Sequence, residues 1–315
     1  MTTFTQSHLT SSLVMVRPTD FGYNEQTGQD NEFQNKPVDS QANEITQKAL
    51  GEFSQMVEQL ESHGIEILIL EKQQTTQKLP DAIFPNNWFS TREDGNIFIY
   101  PMKTPNRRAE IQIEPLQNSL KSKGYTIKNV IDLRQEFTSD SFLEGTGSLI
   151  FHHPTGQVFA ALSERCHQSA LIQFADKYQY QLSTFETSTA SGKPVYHTNV
   201  LMSCGESFAV IAESVLKESS SNRTSMLQLT DTVTDLISIS EQQMTENFCG
   251  NIIQVKNKQQ QSCIIMSSSA HSGFSNSQRK QLEKHGELIV CDIPTIEHIG
   301  GGSARCMVAE NFLCK

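Results

Sequence analysis

The segment Ser62-His63-Gly64-Ile65-Glu66-Ile67-Leu68-Ile69-Leu70 joins two kinds of periodicity at one glycine. Upstream, between Ala42 and Gly64, the residues Ile45, Ala49, Phe53, Met56 and Leu60 recur at the spacing of one apolar helix face. Downstream, Ile65–Leu70 reads as a buried strand. Glycine just past a helix end accepts the left-handed backbone that terminates it. The same join returns along the chain. Arg107–Gly124 precedes Tyr125–Ile131, with Pro115 expected to kink or restart the helix. Glu164–Tyr178 precedes Tyr180–Phe185, and a weaker copy runs from Ser225–Thr234 into Asp235–Ile239. The last copy, Ser275–Gly286 before Glu287–Cys291, is clear.

Between the copies lie paired apolar runs flanking turn residues. Trp88–Thr91 and Asn96–Tyr100 flank Asp94-Gly95, and Ser148–Phe151 and Gln157–Ala161 flank Pro154-Thr155-Gly156. Thr198–Met202 and Ser207–Ile211 flank Cys204-Gly205-Glu206. These are hairpin signatures. A helix, a strand and a hairpin thus recur about five times at roughly 50–60 residues, a period of solenoids and closed propellers. Leu13–Pro18 has no preceding helix and Arg305–Leu313 has no strand partner, so each completes the other if a ring closes. The expectation is one α/β domain over residues 1–315, with five units around a central site.

Composition narrows the function. The chain has 315 residues, 37% hydrophobic and 19% charged, enough for a sizeable core. Its net charge of -10 argues against nucleic-acid binding, which needs a basic footprint. No apolar run approaches the ~18 residues of a membrane span, and Met1–Gln6 lacks the basic and apolar regions of a secretory signal. Seven dispersed cysteines without a C-x-x-C pair fit neither a disulfide framework nor a zinc ribbon. A reduced, cytoplasmic setting suits them. The doublet His152-His153 sits beside Pro154-Thr155-Gly156 and reads as a turn rather than a metal ligand. No metal or cofactor is expected. The polar stretch Thr19–Gln41 is long for a connection, and is either a lid or a loop without a role.

Chemistry collects in the turns. Ile299-Gly300-Gly301-Gly302-Ser303-Ala304-Arg305-Cys306-Met307 bends tightly and delivers one thiol beside an arginine able to favour its thiolate. Other units carry Pro80-Asp81-Ala82-Ile83-Phe84-Pro85-Asn86-Asn87-Trp88, Phe142-Leu143-Glu144-Gly145-Thr146-Gly147-Ser148 and Pro194-Val195-Tyr196-His197-Thr198-Asn199-Val200. The weak fourth copy offers nothing comparable. Singly each has a bland reading: a turn cap for Asp81, a solvated acid for Glu144, a core imidazole for His197, a buried thiol for Cys306. Converging on one axis, they suit a cysteine hydrolase or transferase. His298 is a rival proton carrier, and the other cysteines lack a glycine-rich bend.

The motifs Pro80-Asp81-x-x-Phe84-x-x-Asn87, Asn106-Arg107-Arg108-x-Glu110, Leu143-Glu144-Gly145, Leu162-Ser163-Glu164-Arg165, His197-x-Asn199 and Gly300-Gly301-Gly302-Ser303-x-x-Cys306 span nearly the whole chain in order. Together they resemble the guanidine-modifying, or pentein, superfamily of arginine deiminases, dimethylarginine hydrolases and amidinotransferases. That resemblance implies a five-bladed α/β propeller of ββαβ units with pseudo-fivefold symmetry. The wording of Phe84–Phe89, Tyr100–Met102 and Phe142–Ser148 resembles most the citrulline hydrolase (citrulline ureidase) branch, related to arginine deiminases. The resemblance implies Cys306 as nucleophile, His197 as proton carrier, and Glu144 as the acid that orients His197 and holds substrate N–H groups. It also implies Arg107 and Arg165 as grips for an amino acid's carboxylate, with Asp81 among the substrate-binding residues.

Two departures bear on the substrate. Relatives acting on cationic guanidines often place acids where this chain has Asn87 and Asn199, Asn86 being the alternative register. A guanidinium favours carboxylates around it, whereas a ureido group has a carbonyl oxygen that needs donors, which asparagine supplies. The expectation is a hydrolase taking free citrulline to ornithine, ammonia and carbon dioxide, with no nucleic-acid or membrane partner and compatible with a homodimer. The alternatives are an arginine deiminase or dimethylarginine-type hydrolase, and a non-catalytic pentein scaffold like the translation factor of that fold that binds ribosomal subunits.

Overall fold

The computed structural model describes residues 9–29, 31–37, 42–71, 77–138 and 140–315. Its strands in chain order are β1 (Ser12–Val16), β2 (Glu66–Leu70), β3 (Phe89–Thr91), β4 (Asn96–Ile99), β5 (Asn129–Asp132), β6 (Ile150–His152), β7 (Gln157–Ala161) and β8 (Gln181–Phe185). They continue with β9 (Met202–Cys204), β10 (Phe208–Ile211), β11 (Asp235–Ser238), β12 (Ile253–Lys256), β13 (Ser262–Ser267), β14 (Glu287–Cys291) and β15 (Ala309–Glu310). They build five three-stranded sheets: β15-β1-β2, β3-β4-β5, β6-β7-β8, β9-β10-β11 and β12-β13-β14.

Every sheet repeats one pattern: an antiparallel pair whose second strand also pairs in parallel with the third. A parallel neighbour requires a crossover. Helices Ala42–Ser62, Ile113–Ser122, Gln168–Tyr178, Ser220–Thr232 and Asn276–Leu282 lie in those crossovers. In the first sheet the antiparallel partner comes from the far end of the chain, Leu13 opposite Glu310, while Val16 faces Leu70 in the parallel pair. The two unpartnered ends of the sequence complete each other there, as their lone patterns imply.

The apolar face of Ala42–Ser62 behaves as its spacing predicts. Ala49, Phe53, Met56, Val57 and Leu60 are buried, and they pack with Ile265, Ile289 and Ile296 against Cys306, Met307 and Val308. The Cys306 turn is therefore anchored in a core to which this helix contributes. Gly64 and Gly124 end their helices at φ 82 and φ 87, while Gln179 does the same job at φ 62 without being glycine.

Several local expectations change. Ser148 ends the helix Gly145–Ser148, Thr198–Leu201 is a helical turn before β9, and Trp88 closes the 3-10 turn Pro85–Asn87. Tertiary hydrogen bonds override strand propensity at these positions: the Thr198 hydroxyl donates to the Ser148 carbonyl at 2.6 Å. Pro115 falls in the first turn of Ile113–Ser122, so the helix restarts after the short Pro105–Arg108 rather than kinking. Residues 164–167 form a turn before Gln168–Tyr178. The fourth helix is longer than its pattern suggests, Ser220–Thr232, with Ser219 accepting from the Asn222 N–H as a cap. The hairpin β12–β13 escapes sequence reading because its turn has no glycine, Gln260 taking φ 63 instead.

Candidate active site

Each sheet's hairpin, or β15 in the first sheet, is entered through a short turn bearing polar side chains. Asn86 and Asn87 precede β3, Glu144 precedes β6, His197 and Asn199 precede β9, Asn251 precedes β12, and Cys306 precedes β15. The turns hold one another. The Thr146 hydroxyl donates to Asn86 O at 3.4 Å, and Thr198 to Ser148 O. Asn251 Nδ2 donates to Asn199 O at 2.8 Å, and the Arg305 N–H donates to Asn251 Oδ1 at 3.1 Å. Gly302 lies so near the Phe84 ring that a Cβ there would sit 3.0 Å from it. The five turns form an unbroken circuit.

The Cys306 thiol is buried at the meeting of three of them. Asn199 Nδ2 and Asn251 Nδ2 both donate to its Sγ at 3.2 Å, and its backbone N–H donates to Ser303 O at 2.9 Å. Burial raises the thiol above its ordinary value, while Ser303, Asn251, Asn199 and Arg305 pull it back down. Arg305 is the smallest of these influences, because its guanidinium is turned to Val308 O at 3.0 Å and Glu310 Oε2 at 2.9 Å. The contrast with the other thiols is informative. Burial pushes Cys166, Cys204, Cys249 and Cys291 up to about 12.

Beside the sulfur's donors stands a buried acid–imidazole pair. His197 Nε2 meets Glu144 Oε2 at 2.8 Å, and the Lys103 N–H donates to Glu144 Oε1 at 2.9 Å. Arg165 Nη1 lies 3.7 Å from the same carboxylate. Burial alone would raise Glu144, but Arg165, His197 and Arg107 bring it down to about 2. Burial also lowers His197, with Glu144 opposing the shift. With Nε2 engaged, Nδ1 is the ring nitrogen turned toward Gly147, where a Cβ would come within 3.0 Å of it and 2.3 Å of Asn87 Nδ2. Only glycine leaves that edge clear.

The remaining residues singled out in the sequence surround this group. Arg107 and Glu110 form a buried ion pair at 2.9 Å. Arg107 Nη1 donates to Asn87 Oδ1 at 2.9 Å, and Nη2 donates to the Phe84 carbonyl at 3.1 Å. Asn87 Nδ2, both polar atoms of the Asn86 side chain and Asn199 Oδ1 are buried without a hydrogen-bond partner among the described residues. Buried amides of that kind are costly unless something polar meets them. Asp81 is buried under a loop: Asn24 donates to its Oδ2 at 2.7 Å, Thr27 at 2.8 Å, and Gln34 to Oδ1 at 3.4 Å. Gln34 also donates to Gly300 O at 3.0 Å and the Asn35 N–H to His298 O at 3.0 Å, so residues 34 and 35 of the polar stretch reach the glycine run. Residues 30 and 38–41 of that stretch, and Met1–Gln6, lie outside the described residues.

Over residues 17–313 the sequence matches the family described as N,N dimethylarginine dimethylhydrolase, eukaryotic. The chain belongs to this family. The pentein resemblance carried by the motifs agrees with membership in the dimethylarginine dimethylhydrolase family. No curated protein matches the chain. Among solved structures it is similar to the N-terminal domain of ArgZ, a cyanobacterial arginine dihydrolase, with TM-score 0.71, 14% identity, and coverage of 95% of this chain and 97% of that one. It is similar to DDAH from Pseudomonas aeruginosa complexed with citrulline, with TM-score 0.66, 15% identity and coverage of 97% and 100%. It also resembles AgrE bound to ornithine and NAD+, with TM-score 0.70, 16% identity, and coverage of 96% of this chain and 39% of that one. At these identities the likeness is one of α/β fold.

This dimethylhydrolase-family chain departs from its sequence reading in its fourth unit. The fourth unit is not empty, since it contributes Asn251 through a turn in which Phe248 takes φ 54 and the Asn251 N–H donates to Phe248 O at 2.8 Å. The repeat register could have found it: each polar turn precedes a hairpin, and only β12–β13 lacked one. His298, the rival proton carrier, is exposed. His152 stays in its turn, bonded to Thr155 Oγ1 at 2.8 Å. Among the described residues no group of three or more His, Cys, Asp or Glu side chains could hold a metal ion, and no helix is long and apolar enough to cross a membrane.

Proposed function

We propose that the protein is a cysteine-dependent hydrolase that cleaves the ureido group of free citrulline to ornithine, ammonia and carbon dioxide. The observation that carries this reading is the neutral lining of the thiol: two asparagine amides on Sγ, with unpartnered amide atoms of Asn86, Asn87 and Asn199 in the adjoining turns. A guanidinium offers only N–H donors, which suit Oδ1 of Asn86 and Asn199 but leave the NH2 groups of Asn86 and Asn87 unmatched. A ureido group brings a carbonyl oxygen that accepts from them.

In this reading the Cys306 thiolate adds to the ureido carbon, and a C–N bond breaks as His197 Nδ1 passes a proton to the departing nitrogen. With ornithine as the departing amine, water then adds to the carbonyl carbon of the S-carbamoyl cysteine, giving its proton to His197 and releasing the sulfur, and the carbamate formed yields carbon dioxide and ammonia. One water is consumed per citrulline. Glu144 holds the imidazole through Nε2. Arg165 is assigned the substrate's carboxylate. Arg107, whose nitrogens already meet Glu110, Asn87 and backbone carbonyls, is assigned to the orientation of Asn87. Asp81 is assigned a substrate N–H once the loop donors over it give way. The circuit of turns supports a five-bladed arrangement of the five sheets about this site, and the many unpaired cysteines support a cytoplasmic setting.

A second reading, hydrolysis of dimethylarginine or arginine, is supported by the family match and by the arginine named for the ArgZ relatives. The two divide on one assay: purified protein with citrulline, arginine or dimethylarginine, measuring ornithine and citrulline separately. The proposal expects ornithine from citrulline at the highest kcat/KM. Citrulline accumulating from a methylated or free arginine, with none consumed, overturns it.

A further inference from the structure

We propose that Asn251, acting with Asn199, is the anion-stabilising residue that eases the ionisation of Cys306 inside a buried site. It goes beyond the substrate assignment and rests on the proposed function only in taking Cys306 as the nucleophile.

The argument begins with a difficulty. A thiolate is the reactive form of cysteine, and burial disfavours it. No histidine hydrogen-bonds to Sγ among the described residues, and the neighbouring Arg305 is turned away to Val308 O and Glu310. What reaches the sulfur is a pair of amide NH2 groups at 3.2 Å. An NH2 group only donates, so its hydrogen bond to sulfur strengthens when the sulfur becomes negative.

The two amides are not equivalent. Asn251 is locked, because its Oδ1 accepts from the Arg305 N–H at 3.1 Å and its Nδ2 also donates to Asn199 O at 2.8 Å. Swapping its oxygen and nitrogen would set donor against donor and acceptor against acceptor, so the NH2 must face Sγ. Its backbone is fixed as well. A Cβ on Gly250 would come within 2.2 Å of Val200 O, so the Phe248–Asn251 turn is wedged against the segment bearing His197 and Asn199. Asn199, by contrast, has a buried Oδ1 with no partner among the described residues, which leaves it available to a substrate N–H. Asn251 is thus the permanent donor, and Asn199 divides between sulfur and substrate.

The test needs no substrate. The rate at which a small neutral alkylating agent, iodoacetamide, modifies Cys306 follows the thiolate fraction, and mass spectrometry of the Cys306 peptide reads it against pH. Asn251→Asp keeps the size and the acceptor for the Arg305 N–H, but sets a carboxylate oxygen against the sulfur. Alkylation at neutral pH is expected to fall by about tenfold or more, with the profile displaced to higher pH. Asn251→Ala is expected to move it the same way by less. Thermal unfolding matched to the parent identifies variants that fold, and Asn199→Asp serves as the second arm should Asn251→Asp not fold. A folded Asn251→Asp protein whose Cys306 alkylates with the parent's pH profile overturns the inference. Displacement of the profile in a protein inert toward citrulline would uphold this inference while removing the substrate proposal, so the two fail separately.

Discussion

Replacing Glu144 by glutamine tests the electrostatic heart of the site, because the change keeps the side chain's shape and removes its charge. Glu144 is fully buried, 2.8 Å from His197 Nε2 and 3.7 Å from Arg165. It sits at about 2 against an ordinary 4.5, a displacement worth about 3 kcal/mol between its protonated and ionised forms. A depressed carboxylate stabilises the fold above its unfolded value and loses that contribution as pH falls toward the folded one. The parent should therefore exceed Glu144→Gln in unfolding free energy by up to about 3 kcal/mol at neutral pH. The gap should hold down to about pH 5 and close progressively below it. Urea unfolding of both proteins at several pH values measures this. The same variant loses the anion that steadies a protonated His197, so kcat should drop by about 100-fold or more, the usual scale for general acid–base catalysis. A stability gap that does not narrow in acid, or a variant with the parent's kcat, refutes the reasoning.

Other perturbations follow from the same geometry. Asn87→Asp replaces an unpartnered buried NH2 by a carboxylate, and kcat/KM for citrulline should fall by about tenfold or more in a steady-state assay; full activity would refute the role given to neutral amides. Gly147→Ala sets a methyl group 2.3 Å from Asn87 Nδ2 and 3.0 Å from His197 Nδ1, so turnover should collapse while circular dichroism stays that of the parent. Glu110→Ala strands the buried Arg107 guanidinium and should cost about 3 kcal/mol of stability in denaturant unfolding. Because burial holds the Cys306 thiol above its ordinary value, kcat/KM should climb with alkaline pH as the thiolate forms, in a profile that a flat response would contradict.

The repeat that organises the molecule is legible in the sequence because its two periodicities meet at glycine, as in Ser62-His63-Gly64 before Ile65. Joining the first strand to the last segment follows from each lacking a partner, and β1 does pair with both β2 and β15. The turns before the hairpins are less legible. Thr198–Leu201 has strand-forming residues, yet its side chains serve hydrogen bonds between turns, which no local pattern records. Asn251 has only its place in the repeat register to mark it: a single asparagine after Cys249-Gly250 has no motif, and its meaning comes from Asn199 and Arg305, distant in the chain. Arg107 shows the same limit. The family resemblance implies a grip for substrate there, while the fold surrounds it with Glu110, Asn87 and backbone carbonyls.

The most direct test of a covalent cysteine mechanism is mass spectrometry of protein mixed with citrulline and quenched in acid during turnover. The account predicts a substrate-derived adduct on the peptide that holds Cys306, absent after Cys306→Ala, which should also abolish ornithine release. Citrulline consumed at the parent's rate by Cys306→Ala, with no adduct in either protein, would contradict it.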